Sequence, residues 1–240
     1  MKKLVSLFTI VAAPAFAKGI ELPNDGFASN QVQMMGLLAA MAIVPFAVMM
    51  LTSFSKIVVV LSIVRSALGT QQAPPTMVLT GLAAVLSATI MTPTFEKMWN
   101  EGRAQYAEGG DAVSMFSRAG AVLQPLKDFL VKHGSVDERA RFVDMARELR
   151  PAEEGGDVSE SDLSIIVPAF VITELKEAFI IGFLIFLPFL VLDMLIANVL
   201  LALGMQTLSP SQVSLPFKIL LFVAVDGWAL LSRGLILGYR

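Results

Sequence analysis

Apolar positions along this chain fall into two long blocks separated by a charged one. Val32 to Leu51 contains no charged side chain, and a run of about twenty such residues is long enough to span a bilayer core as a helix. Pro45 lies inside that run and predicts a kink. The apolar pattern continues through Lys56 to Leu68, now with two cations, Lys56 and Arg65. Gly69 then supplies a helix C-terminus, and Pro74 and Pro75 block continuation. Met77 to Met91 reads as a second apolar segment, short for a simple span. Together these segments predict a helical hairpin turning between Gly69 and Pro75.

The middle of the chain differs in kind. Thr94 to Ser164 holds 14 acidic and 9 basic side chains, more than half of all the charges in the protein, so this stretch belongs in water. Val122 to Leu130 and Glu138 to Leu149 read as amphipathic helices, and Pro151 to Glu160 is a loop by composition. A second apolar block follows. Ile165 to Leu203 is too long for one straight span and is expected to break at Pro168 and Pro188. Gly204 to Pro210 is a turn, and Leu215 to Ile236 is the last apolar helix. The pattern predicts an all-α, membrane-associated fold of two helical hairpins around a soluble helical insert. Its segments are 1–17, 18–93, 94–164 and 165–240, the first of them a signal peptide.

That signal peptide rests on Lys2 and Lys3, the short apolar stretch Leu4 to Ala13, and the A-x-A site Ala15-Phe16-Ala17, with Lys18 opening the mature chain. If it is removed and the first hairpin returns to its starting side, the charged insert lies outside the cytoplasm. Composition agrees with a membrane protein: 55% of the 240 residues are hydrophobic and 16% charged, with a mean hydropathy of +0.72. No basic stripe points to nucleic acid. With no cysteine in the chain, disulfides, thiol nucleophiles and cysteine-based zinc sites are excluded. His133 is the only histidine and is expected to be solvated, so no metal or other cofactor is expected. The methionines at 34, 35, 41, 49 and 50 are expected to pack as adaptable filler.

Charge inside the apolar blocks carries the most information. Ionised groups in hydrocarbon are costly unless paired or hydrated. Glu174 and Glu177 are three residues apart and share one helical stripe. Lys176 lies roughly 200° round the helix from Glu174, so it cannot neutralise that stripe. The two carboxylates therefore need a cation from another helix or another subunit, with Lys56, Arg65 and Lys218 as candidates, unless Glu174 to Glu177 is simply a wet helix start at a membrane surface. Lys56 and Arg65 are about half a turn out of phase and must face different neighbours. Asp193, among Leu192, Met194 and Leu195, is either an inter-subunit contact or hydrated site, or a packing carboxylate bonded to Asn198 or a backbone group. Asp226 and Arg233 read as a structural stripe on one helix face. Asp193 and Asp226 could form an intramembrane proteolytic dyad, but the GxGD pattern is missing, as are HExxH, GxSxG and a phosphate-binding loop. No enzyme is expected.

Several stretches, in order, resemble a known family. Arg65-Ser-Ala-Leu-Gly-Thr-Gln-Gln-Ala-Pro-Pro75 is similar to the RNALG…PP signature of the FliP/SctR family, the export-gate subunit of type III secretion systems. Met50 to Lys56, Leu175 to Phe183, Pro188 to Asp193, Leu215 to Lys218 and Asp226 to Trp228 resemble it too, so the similarity runs from Gln31 to Tyr239. The resemblance implies an oligomeric helical pore in the bacterial inner membrane, with the insert on the periplasmic side. It implies a pentamer joined by FliQ/SctS-type and FliR/SctT-type subunits, other basal-body components and membrane lipid. Unfolded secreted proteins would pass through, with no catalysis by this subunit. Lys56, Arg65, Glu174, Glu177, Asp193 and Lys218 would carry inter-helix and inter-subunit pairing. The family's pore-closing methionine run corresponds here to Met205, Gln206 and Thr207, of which only Met205 keeps the type. The Gly69 to Pro75 turn and the C-terminus look closer to the injectisome branch, the signal peptide to the flagellar one. A stand-alone channel or transporter, with Asp193 and Glu174 as an ion path, is the rival reading.

Overall fold

The computed structural model describes residues 34–35, 38, 41–42, 45–70, 73–107, 112–149, 159–205 and 207–240. The signal peptide, most of the first apolar run before Pro45, and the loop from 151 to 158 lie outside the described residues. Among those described, helix is the only regular secondary structure. The helices are α1 (Phe54–Leu68), α2 (Thr76–Ala107), α3 (Ala112–His133), α4 (Val136–Leu149), α5 (Leu163–Ala202), α6 (Pro210–Ala224) and α7 (Gly227–Leu237). Residues 45–50 are helical as well, and the methionines expected to pack, 34, 35, 41, 49 and 50, are largely exposed on this chain.

The chain forms two compact units, one of residues 1–52 and 91–171, the other of 53–90 and 172–240. In the second unit α1 is central because its apolar residues follow a helical period. Ile57, Val60, Leu61, Val64 and Leu68 recur three and four apart and are all buried. Leu79, Ala83 and Leu86 of α2, Ala178 and Phe189 of α5, Phe222 of α6, and Leu231 and Leu235 of α7 complete that core. Each fully buried leucine or isoleucine stabilises by about 1.5–3 kcal/mol relative to exposure. Gly69 ends α1 as expected, with φ of 75° and its N–H donating to Ser66 O at 3.1 Å. Arg65 stands in the last turn, where the helix dipole favours a cation.

In the first unit, α3 and α4 are longer than the amphipathic stretches expected but enclose them. Phe129 of α3 tilts against Phe170 of α5 at 5.8 Å between ring centroids. Val143 of α4 packs with Ile165 of α5. His133, expected in solvent, is half-buried with its ring 4.7 Å from that of Phe129. Its imidazole completes an aromatic contact at the end of α3 instead of facing water.

Three expectations from the sequence need correction. The segment from Met77 is not short: α2 runs 32 residues, straight through Pro93 and into the charged stretch. Glu96, Lys97, Met98, Glu101 and Arg103 are good helix formers, and they carry the helix past the end of the apolar pattern. Pro168 and Pro188 do not break the second block, because α5 is one helix of 40 residues. A proline there removes a single backbone bond and neighbouring helices can hold the rest of the ladder in an apolar setting. At about 60 Å, α5 is roughly twice the thickness of a bilayer core. Conversely, the last apolar helix is broken. It divides into α6 and α7, bent by 59°. Asp226 at the break takes a left-handed φ of 51°, so it lies outside α7 and does not share a helical stripe with Arg233. Gly227 follows it where a Cβ would collide with the Phe222 ring at 2.3 Å.

By length and composition, residues Thr76–Ala104 and Leu163–Ala202 are each apolar enough to cross a membrane, with mean hydropathies of 1.6 and 2.7. The bent α6–α7 pair is a third candidate.

α1 and α5 pack closely at Gly182, where a Cβ would collide with the Ile63 side chain. Gly182→Ala is expected to cost about 1–3 kcal/mol through overpacking, seen as a lower thermal unfolding midpoint in detergent. Adding Ile63→Ala should recover part of the loss. An unchanged midpoint for Gly182→Ala alone would contradict this packing.

Candidate functional site

The apolar helices of the second unit enclose two groups of charged side chains. The first centres on Lys56, which enters the core because it sits one residue before Ile57 on the buried face of α1. Its side chain is 5% exposed and its Nζ lies 2.6 Å from Glu177 Oε2 and 3.1 Å from Glu174 Oε1. Glu174 is fully buried, whereas Glu177 is 49% exposed. The Lys56 ammonium faces Glu174 Oε1 as an ion pair. The other oxygen, Oε2, accepts a hydrogen bond from the Tyr239 hydroxyl. The Lys56 ammonium also sits 4.3 Å from the centre of the Tyr239 ring, a cation–π contact. Burial, reinforced by the negative charge of Glu174, pushes the Tyr239 phenol far above its usual range, so it stays protonated and acts as a donor. One cation thus serves two carboxylates, joining α1, α5 and Tyr239, two residues past the end of α7.

The second group is balanced. Lys218 Nζ of α6 lies 2.6 Å from Asp193 Oδ2 of α5 and donates to Ala67 O of α1 at 3.2 Å. Ser214, one turn before Lys218 on α6, donates from its Oγ to Asp193 Oδ1 at 2.5 Å. Lys218 is 5% exposed and Asp193 31%. The Asp193 carboxylate therefore has a partner for each oxygen.

The Glu174–Glu177 stripe takes its cation from another helix, as its geometry requires. That helix belongs to the same chain, which supplies one lysine to the two carboxylates. Of the three candidate cations only Lys56 pairs with it. Lys218 goes to Asp193, whose partners are thus Lys218 and Ser214 of the same chain and not Asn198 or a backbone group. Arg65 meets no carboxylate in this network: its Nη1 donates to Thr76 Oγ1 at 2.9 Å, across the turn between α1 and α2. Sequence reasoning missed Ser214 and Tyr239. Ser214 was findable, because it and Lys218 are four apart on an apolar helix and share a face. Tyr239 follows the last helix with no periodic signal.

Met205 and Thr207 lie exposed in the turn between α5 and α6, where Gly204 takes φ of 70°. Gln206 lies outside the described residues. Among the described residues no cluster of histidine and carboxylate side chains could hold a metal.

Known proteins were compared with the chain. A family model described as "FliP family" matches residues 37–235. The hypersensitivity response secretion protein HrcR of Ralstonia nicotianae is 42% identical over 221 residues, covering 91% of this chain and 100% of that protein. The flagellar biosynthetic protein FliP of Caulobacter vibrioides is 40% identical over 215 residues, or 90% and 79% of the two chains. Yop proteins translocation protein R of Yersinia pestis is 39% identical over 222 residues, 92% and 99%. Flagellar and secretion relatives thus match at similar identity.

Removing the cation from a fully buried carboxylate is severe, and about 3–5 kcal/mol is typical. Lys56→Met is expected to lower the thermal unfolding midpoint accordingly. Lys56→Met combined with Glu174→Leu removes both deep charges and should be milder than Lys56→Met alone. A double variant less stable than the single one would show that the two side chains do not act as a pair.

Proposed function

The chain belongs to the FliP family and is a subunit of the type III secretion export apparatus in the bacterial inner membrane; from that premise, we propose that its copies form the wall of the pore through which unfolded proteins leave. The copies number five, and FliQ/SctS-type and FliR/SctT-type subunits complete the gate. This subunit contributes a conduit and no chemistry of its own.

The observation that carries this reading is the state of α5. Its most apolar window has a mean hydropathy of 2.7, yet only 11% of it is buried by the chain itself. A helix of that kind needs neighbours or lipid over most of its surface. The same chain has already neutralised the charges that its helices bury. Each copy is internally paired and externally apolar, which suits a helix in a wall of similar subunits. The rival, a stand-alone channel with Glu174 and Asp193 as its ion path, is less well supported, because both carboxylates are tied to lysines.

The turn from Gly204 to Thr207 is the constriction in this reading. Deleting those four residues is expected to let a small dye enter cells that carry the assembled apparatus. Unchanged dye entry together with unchanged secretion would count against a role for this turn in the seal.

The insert faces the periplasm in this reading. With no native cysteine, Ser159→Cys gives a single reporter thiol at an exposed position. A membrane-impermeant maleimide should label it once the outer membrane is opened. Labelling only after lysis of the inner membrane would place the insert on the other side.

A further inference from the structure

The first unit holds a polar cleft of its own. Lys97, Asn100 and Glu101 lie within one turn on a single face of α2, beyond its apolar part. Gln124 and Asp128 lie four apart on one face of α3. The two helices approach each other at Gly102, where a Cβ would lie 3.9 Å from Val122 Cγ1. Beside that contact their polar faces border a cleft of about 580 Å³, a volume typical of small-molecule sites. A helix face that only packs on its neighbour is apolar. Met98 and Val122, both buried, are residues of that kind, whereas Lys97, Glu101 and Asp128 are not.

The lining is rich in acceptors. Pro125, inside α3, has no N–H, so the carbonyl of Ala121, four residues before it, lacks its helical hydrogen bond. Ala121 and Pro125 both border the cleft. Gln124 Nε2 donates to Asp128 Oδ1 at 2.8 Å, which orients the carboxylate and leaves Gln124 Oε1 and Asp128 Oδ2 as acceptors. Glu101 adds a second carboxylate, from the opposite helix, against the single cation of Lys97. A divalent metal suits this set poorly, because it needs more oxygen ligands and no ammonium beside them. Among the described residues no three carboxylate or histidine side chains gather there. A guanidinium suits it well. It is permanently charged, its planar fork carries only N–H donors, and it can bridge carboxylates on two helices. Lys97 is then left for a negative group on the same molecule. We propose that this cleft binds a guanidinium compound that also bears a carboxylate, the chemistry of arginine. Glu101 and Asp128 hold the guanidinium, and Lys97 holds the carboxylate. The inference goes beyond the gate reading and does not rest on it.

Isothermal titration calorimetry of the full chain in detergent tests it, with arginine, citrulline and agmatine as probes. Citrulline puts a neutral urea in place of the cation, and agmatine lacks the carboxylate. Arginine should bind saturably and about tenfold more tightly than citrulline, since hydrogen bonds to charged groups are the strong ones. Glu101→Gln and Asp128→Asn should each weaken arginine by about tenfold. Lys97→Met should weaken arginine and leave agmatine unchanged. All three side chains are exposed, so the circular dichroism of each variant should match that of the unaltered chain. The peptide Gly-Gly-Arg ends in the same two groups and forms a separate arm. Either order of affinity between it and arginine upholds the chemistry, and the tighter of the two identifies the source as a chain end or a free amino acid. Absence of saturable arginine binding would overturn the proposal, as would equal binding of citrulline. So would full arginine affinity in both carboxylate variants, or displacement of arginine by calcium.

Discussion

Lys56 is the residue on which the second unit depends. It is an ammonium placed on the buried face of α1, and it is stable there only because α5 brings two carboxylates to it. Glu174 in turn needs Lys56 and the Tyr239 hydroxyl, since its side chain is fully buried. The apolar residues around α1 drive these helices together without direction, whereas the ion pair is directional. It fixes how α1 and α5 are rotated, with Glu174 facing inward and Lys176 outward. Whether such a pair adds net stability over an apolar replacement is a separate matter from its cost when half removed. Its value here is in holding one arrangement of otherwise interchangeable greasy surfaces.

Lys218 repeats the device further along. It draws Asp193 of α5 and the end of α1 to α6. Within the chain these buried lysines meet their carboxylates, while the longest apolar helix is left mostly uncovered.

Much of this was legible in the residues themselves. The three-residue spacing of Glu174 and Glu177, with Lys176 on the far side, demanded a cation from another helix. Gly69 before Pro74 and Pro75 marked the end of α1. Other features were not read correctly, for identifiable reasons. Pro168 and Pro188 were given the weight they carry in water, although a long apolar helix tolerates proline. Asp226-Gly227 is a turn-forming pair, and it marks the break between α6 and α7 that hydrophobicity alone conceals. The spacing of charges within single helices left the source of that cation open between another helix and another subunit, because it cannot show that Lys56 and Glu174, more than a hundred positions apart, meet in one chain. Tyr239 gave no signal because a hydroxyl after a terminal helix has no period to follow.

Native mass spectrometry of the full chain, extracted in mild detergent from cells that carry the apparatus, tests the central claim most directly. The account has each copy satisfy its own charges but leave its longest apolar helix uncovered. It therefore predicts particles of several copies together with small hydrophobic partners. Single copies, accompanied by ion flux when that same material is placed in liposomes, would contradict it.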